Sequence, residues 1–232
     1  MMSTFDQWDQ RQFHKQELRK QARLTINAWN TPIAALYVIT DGHYYNQPGI
    51  DPWDKNRDAR LYDGPHPVVA HPPCARWCQL ASVNHKRWGT PIAEDGGLFE
   101  RALEQVREHG GVLEHPAYSL AYPKFGMPRP VRGEWSEPDE HGGVSIQVSQ
   151  CAYGHPARKR TWLYGVGINT SIPLRHDEPP TTGGVGSGIK TGNNQKKRIT
   201  AVEAMATPPE FRELLIALAR SVYESKEEKG KR

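Results

Sequence analysis

The stretch Pro67-Val68-Val69-Ala70-His71-Pro72-Pro73-Cys74-Ala75-Arg76-Trp77-Cys78 decides how the chain is read. Its apolar start has the length and β-branching of a short buried strand. The two prolines end that strand and stiffen the backbone, so the Cys74 thiol is expected at a rigid strand end. Open α/β sheets hold their ligands at such ends. Arg76 and His71 lie near enough in sequence to favour the thiolate, the form of cysteine that attacks. The plainer alternative for Cys74 is a small buried hydrophobe.

Outward from this stretch the pattern alternates between strands and helices. The continuous apolar run Ile33 to Thr40 predicts a central parallel strand. Glu94 to His109 predicts a helix with Leu98, Phe99, Ala102, Leu103 and Val106 on one face, closed by Gly110-Gly111. Val112-Leu113 is a short strand ending in Glu114-His115-Pro116, and Val144 to Gln150 alternates as a strand does. Thr161 to Gly167 is another strand, and a last helix runs from Pro209 to Ser225 with Phe211, Leu214, Leu215, Ala217 and Leu218 inward. Strands near 35, 68, 112, 146 and 163, interleaved with helices, predict an α/β sandwich. Residues 1–30 read as a helical arm, 31–225 as a single α/β domain with a loop-rich segment at 168–200, and 226–232 as a charged tail.

Composition narrows the class. The chain has 232 residues, 37 % hydrophobic and 24 % charged, enough for one core. No window approaches the roughly 18 apolar residues that cross a bilayer, so no membrane partner is expected. The charged N-terminus lacks the apolar core of a signal peptide. Three cysteines suggest a reducing cytoplasm in place of a disulfide scaffold. A net charge of +4 and a pI near 8.9 permit nucleic-acid binding.

Three predicted strand ends carry reactive groups: Cys74, Glu114, and Arg158 with Arg160. Together they supply a nucleophile, a carboxylic acid and anion-binding cations. Such a set suits addition of a thiolate to an electron-poor ring, with the carboxyl on a ring nitrogen and the cations on a ring oxygen or phosphate. Two rival motifs are weaker. Cys74, Cys78, His71 and His85 lack the second Cys-x-x-Cys pair of a zinc site, so no metal is assigned. Gly183 to Thr191 mimics a phosphate loop but has one residue too many before Lys190 and no buried strand before it.

The Pro72-Pro73-Cys74 stretch, Glu114 after Gly-Gly-Val-Leu, and Tyr153-Gly154-His155-Pro156-Ala157-Arg158-Lys159-Arg160 running into Trp162-Leu163-Tyr164-Gly165-Val166-Gly167 resemble three successive motifs of the DNA cytosine-5 methyltransferases. Thr207-Pro208-Pro209-Glu210-Phe211 is similar to that family's closing motif. The resemblance spans roughly 33–220 and is to small phage-type proteins with a His-Pro-Pro-Cys signature. It implies a three-layer Rossmann-like methyltransferase sandwich, compact and partly degenerate. It also implies a thiol, Cys74, that attacks carbon 6 of a cytosine flipped out of DNA. Glu114 would contact ring nitrogen 3 and the exocyclic amine, with Arg158 and Arg160 holding base and backbone. Carbon 5 would take a methyl from S-adenosylmethionine, with Asp41, Asp51, Asp63 and Pro73 on the cofactor side. Arg76, Lys159, Lys196, Lys197 and Arg198 would meet the DNA.

The chain departs from the family's pattern in several places. Asp41-Gly42-His43-Tyr44 stands where the family has a glycine-rich cofactor loop, and the helix that follows it is missing. His115 and Ala157 replace an Asn and a Gln, and only some 40 residues stand where the target-recognition insert belongs. Two alternatives therefore stay open: carbon-5 modification with a different donor, and a non-catalytic DNA-binding or inhibitory protein on a degenerate fold. The small insert also leaves room for a protein partner that supplies sequence specificity.

Overall fold

The computed structural model describes residues 31–181 and 200–230. The 1–30 arm, the Gly183 to Thr191 stretch, and Lys196, Lys197 and Arg198 lie outside them. Seven strands form one sheet: β1 (Ile33–Leu36), β2 (Ile50–Trp53), β3 (Val68–Ala70), β4 (Gly111–Pro116), β5 (Val131–Arg132), β6 (Gly143–Ser149) and β7 (Arg160–Val166). Their order is β2-β1-β3-β4-β7-β6-β5. β7 runs antiparallel to both β4 and β6, and every other adjacent pair is parallel. The helices are α1 (Ala81–Trp88), α2 (Leu98–His109), α3 (Ala121–Lys124), α4 (Ala201–Met205) and α5 (Pro209–Gly230).

Side-chain alternation along the strands divides the core into two layers of packing. Ala34, Leu36, Val68, Ala70, Leu113, Trp162 and Tyr164 face α2, where Phe99, Ala102, Leu103 and Val106 meet them. Ile33, Ala35, Val69, Val112, Ile146, Val148 and Leu163 face α5, which answers with Phe211, Leu214, Leu215 and Leu218. Each such large side chain, taken out of water, stabilises the fold by roughly 1.5–3 kcal/mol. The mixed α/β architecture expected from the sequence is thus present, with helices on both faces of a mostly parallel sheet.

Local departures from the sequence reading have physical reasons. β1 ends at Leu36, not Thr40, because Tyr37 turns into the left-handed region at φ 60. β2 was hidden by its proline. Pro52 sits on the sheet's outermost strand, where a missing N–H costs no ladder bond. α2 begins at Leu98, later than expected, because the Asp95 carboxylate accepts from the N–H groups of Leu98 (3.1 Å) and Phe99 (3.0 Å). α1 has no signature in the sequence, since most of its side chains face solvent and it has no apolar stripe. On α5 Ala217 points outward, and the helix continues to Gly230 into the stretch read as tail. Between β1 and β2 there are only turns, in keeping with the missing helix.

One glycine holds the centre of the sheet together. Gly111 opens β4 at φ 120, and a Cβ there would lie 2.0 Å from the Val68 carbonyl oxygen. Only glycine lets β3 and β4 approach in this register.

Candidate active site

Strand parity builds the site. The α5-facing ladder of Val69, Val112, Val148 and Leu163 continues, two residues further toward the same edge of the sheet, as His71, Glu114, Gln150 and Thr161. Apolar side chains in the sheet thereby give way to polar ones where the parallel strands end, the usual position of ligands in open α/β sheets. Glu114 is not a terminal residue, however. It is the fourth of six in β4, paired across to Leu163, and only 9 % exposed.

Buried polar groups need partners, and these residues supply them to one another. The Glu114 carboxylate receives His71 Nδ1 at 3.1 Å on one oxygen and Gln150 Nε2 at 3.1 Å on the other. Gln150 also donates to Thr161 Oγ1 at 3.0 Å, while its own amide oxygen is buried without a partner. His71 Nε2 lies 2.8 Å from the Tyr44 hydroxyl, which reaches in from the turn after β1. Burial alone would raise the Glu114 pKa, but the His71 hydrogen bond and the Lys159 charge outweigh it and hold the carboxyl down at about 2. Glu114 is therefore a carboxylate at neutral pH. Its neighbour His115 is fully buried on the other face, edge-on to Phe99 at 5.0 Å, and burial pushes its pKa down to about 4.

Cys74 begins the turn that leaves β3, and its carbonyl accepts from the N–H groups of Trp77 (3.0 Å) and Cys78 (2.9 Å). Trp77 anchors this turn. It is 1 % exposed, packs on Phe99 and Phe125, and donates its indole N–H to the Asp95 that caps α2. The thiol is half-buried and unpaired, as are the other two cysteines unpaired in any disulfide. Burial first, then Cys78 and the Glu114 charge, push its pKa up to about 11, against the opposing charge of Lys159. This corrects the thiolate expectation. Arg76 donates to the Glu94 carbonyl at 2.8 Å, and His71 is engaged by Tyr44 and Glu114, so both side chains have partners other than the sulfur.

The basic segment is sorted by the same parity. Lys159 and Thr161 fall on the Glu114 face, and the Lys159 charge acts on both Cys74 and Glu114. Arg158 and Arg160, one residue out of step, do not join them: Arg158 pairs with Glu178 at 2.9 Å, and the Arg160 side chain is exposed. The structure thus joins Glu114 to His71 and Gln150, and through His71 to Tyr44, while the Lys159 ammonium donates to the Ala206 carbonyl at 3.4 Å and acts on Glu114 and Cys74 through its charge alone. Gln150 and Tyr44 carry no motif, so only the alternation of their strand and turn could have pointed to them.

The expected cofactor-side residues do not converge. Asp51 is held by Arg57 and by the Trp53 indole at 2.7 Å. Asp63 lies before β3 beside Glu108 and His109 at the end of α2, at the opposite edge of the sheet from Cys74. Asp41 is exposed in a left-handed turn, and Pro73 is exposed on the Cys74 loop. Past the ends of β1 and β3, where the connections diverge to either side, Tyr44 is 4 % exposed and its hydroxyl meets His71. These residues do not fit an adenosyl cofactor.

No protein-family model matches the chain, and no curated protein matches it. Among the described residues, Asp63, Glu108 and His109 come within 4.8 Å as a potential ligand group, and the Cys74, Cys78, His71 and His85 set does not. An open depression of about 760 Å³ lies near Leu174, Arg175, His176 and Glu178, lined by none of the Cys74 group. Among the described residues no helix is long and apolar enough to cross a membrane.

Proposed function

We propose that the chain is a DNA base-modifying enzyme on a methyltransferase-like sandwich, acting in the cytoplasm at carbon 5 of cytosine or another pyrimidine through Cys74. The observation that carries this reading is a half-buried thiol and a buried carboxylate at one edge of a mostly parallel sheet, with the charge of a nearby lysine acting on both. In this chemistry sulfur adds to carbon 6 of a base extruded from the stack, because the ring is out of reach inside it. The thiol proton goes to water and ring nitrogen 3 gains one, leaving carbon 5 electron-rich enough to take an electrophile. Glu114 accepts from the exocyclic amine, and Lys159 favours the developing thiolate. Methyl transfer from S-adenosylmethionine is what the resemblance implies. The engagement of Asp51 by Arg57 and the place of Asp63 favour a different donor.

DNA as the partner is supported by α1, which follows Cys74 directly. It exposes Lys86, Arg87 and Trp88, the last at 64 %, a mixture suited to phosphate and to base stacking. The second reading is a non-catalytic DNA-binding protein. It is favoured by one observation, the thiol held near pKa 11.

DNA carrying 2-pyrimidinone, an electron-poor cytosine analogue, separates the two. Enzymatic chemistry predicts a covalent adduct by mass spectrometry that Cys74→Ser abolishes. Binding without adduct would sink the enzymatic reading. Calorimetry with S-adenosylmethionine tests the donor, and clear micromolar binding would restore the methyl-transfer version.

A further inference from the structure

The buried pair His71–Glu114 is set up as more than a structural contact. His71 stands three residues before Cys74 and joins Glu114 at 3.1 Å through Nδ1 and the Tyr44 hydroxyl at 2.8 Å through Nε2. Its side chain is 14 % exposed and that of Glu114 is 11 %. A hydroxyl can donate or accept, so Tyr44 satisfies Nε2 of a neutral ring and Nε2–H of a charged one equally. The site can therefore hold His71 in either charge state without orphaning an atom. The proposed reaction presents a matching need: it wants a proton on the base, while Glu114 rests as a carboxylate and Cys74 as a thiol.

We propose that His71 is a positioning residue that sets the charge of Glu114, holding it ionised at rest and handing it a proton when a base docks. This rests on the pyrimidine chemistry of the preceding subsection. In the transfer the Nδ1–H bond of a charged His71 breaks and an O–H bond forms on Glu114. The imidazole is left neutral, with its remaining N–H on Tyr44. Glu114 passes the proton to ring nitrogen 3, and water recharges His71. The other groups acting on Glu114 are Lys159 beside β7 and His115 of β4. Glu114 in turn acts on Cys74, on Tyr44 and on Tyr122 of α3, and Arg212 and Glu213 of α5 reach Tyr44.

Two measurements test the assignment. An NMR titration of the His71 ring, without DNA, should show its midpoint moving to lower pH in Glu114→Gln, which removes the carboxylate charge 3.1 Å from Nδ1. An unchanged midpoint would overturn the proposal. The pH profile of adduct formation with 2-pyrimidinone DNA should lose its histidine limb in His71→Asn, which keeps a donor toward Glu114 but does not titrate. His71→Ala should also lose rate, by tenfold or more. A wild-type profile in His71→Asn would overturn the proton-handing role. Coupled titration with no wild-type adduct at any pH would support the His71–Glu114 coupling and overturn the pyrimidine chemistry instead.

Discussion

The two halves of the sheet's ligand-bearing edge use their carboxylates in opposite ways. Beside β1 and β2, Asp51 is tied to near neighbours in sequence, Arg57 and Trp53, and Asp54 to the N–H groups of Asn56 and Arg57, with Thr40 from the turn after β1 as its one partner further off. Beside β3, β4 and β7, Glu114 is held by residues 43 positions upstream and 36 downstream. A carboxylate spent on its own turn shapes a loop. One held by other strands, next to a thiol, has its charge set by the fold and can act on that thiol. The contrast locates the chemistry in the second half.

The most severe way to break this contrast is Gly111→Ala. A methyl 2.0 Å from the Val68 carbonyl cannot be accommodated by a flexible side chain, so β3 and β4 must part. We expect a loss of about 4 kcal/mol or more, seen as failure to fold or a collapsed Tm in thermal unfolding.

Glu114→Gln should abolish adduct formation, by about a hundredfold or more in rate. The same change should raise Cys74 alkylation at pH 8, because a negative charge that lifts the thiol pKa is gone. Peptide mass spectrometry after iodoacetamide distinguishes Cys74 from Cys78. Reduced alkylation would mean that Glu114 does not act on the sulfur.

Acid should destabilise the second half first, in two windows. The folded pKa of His115 is depressed from 6.5 to about 4, so the unfolded chain takes up the proton first and stability falls as pH drops from about 6.5 to 4. The loss is of order 3 kcal/mol by the usual linkage. Glu114 is depressed from 4.5 to about 2, so its contribution is present above about 4.5 and is lost as pH falls toward 2. Denaturant unfolding of His115→Gln and Glu114→Gln against pH should flatten the respective windows.

The mildest changes sharpen the comparison. Lys159→Ala should raise the Cys74 pKa and slow its alkylation severalfold, whereas Arg158→Ala removes a half-exposed ion pair with Glu178, costs about 1 kcal/mol and leaves the thiol unchanged. Asp51→Asn should likewise cost little and leave Cys74 reactivity alone. Equal effects of Lys159→Ala and Arg158→Ala on the thiol would remove the parity argument.

Much of the fold was legible because buried parallel strands write themselves as short β-branched runs. Val68-Val69-Ala70 and Val112-Leu113 are such runs, and α2 shows its apolar face at helical spacing. β2 was not legible, since an edge strand paired on one side tolerates Pro52 and carries Asp51. α1 was not legible because nothing packs most of its surface. In the site, Cys74 and Glu114 stood out by their motifs, and the basic segment by its charges. Which of its cations faces the site was open, since three adjacent basic residues look alike until a strand assigns alternate ones to opposite faces.

By itself the order of residues determined the alternation of strands and helices, the proline-bounded position of Cys74, and the choice of Cys74 and Glu114 as candidate reactive groups. These depend on local backbone preference and on hydrophobic period, both written within a few residues. Only the tertiary structure decided that the charge of Lys159 acts on the thiol while Arg158 pairs with Glu178, that His71 and Gln150 bond the Glu114 carboxylate, and that Asp63 lies at the far edge. Those outcomes come from residues tens of positions apart meeting in a low-dielectric interior, where charge state follows burial and partners.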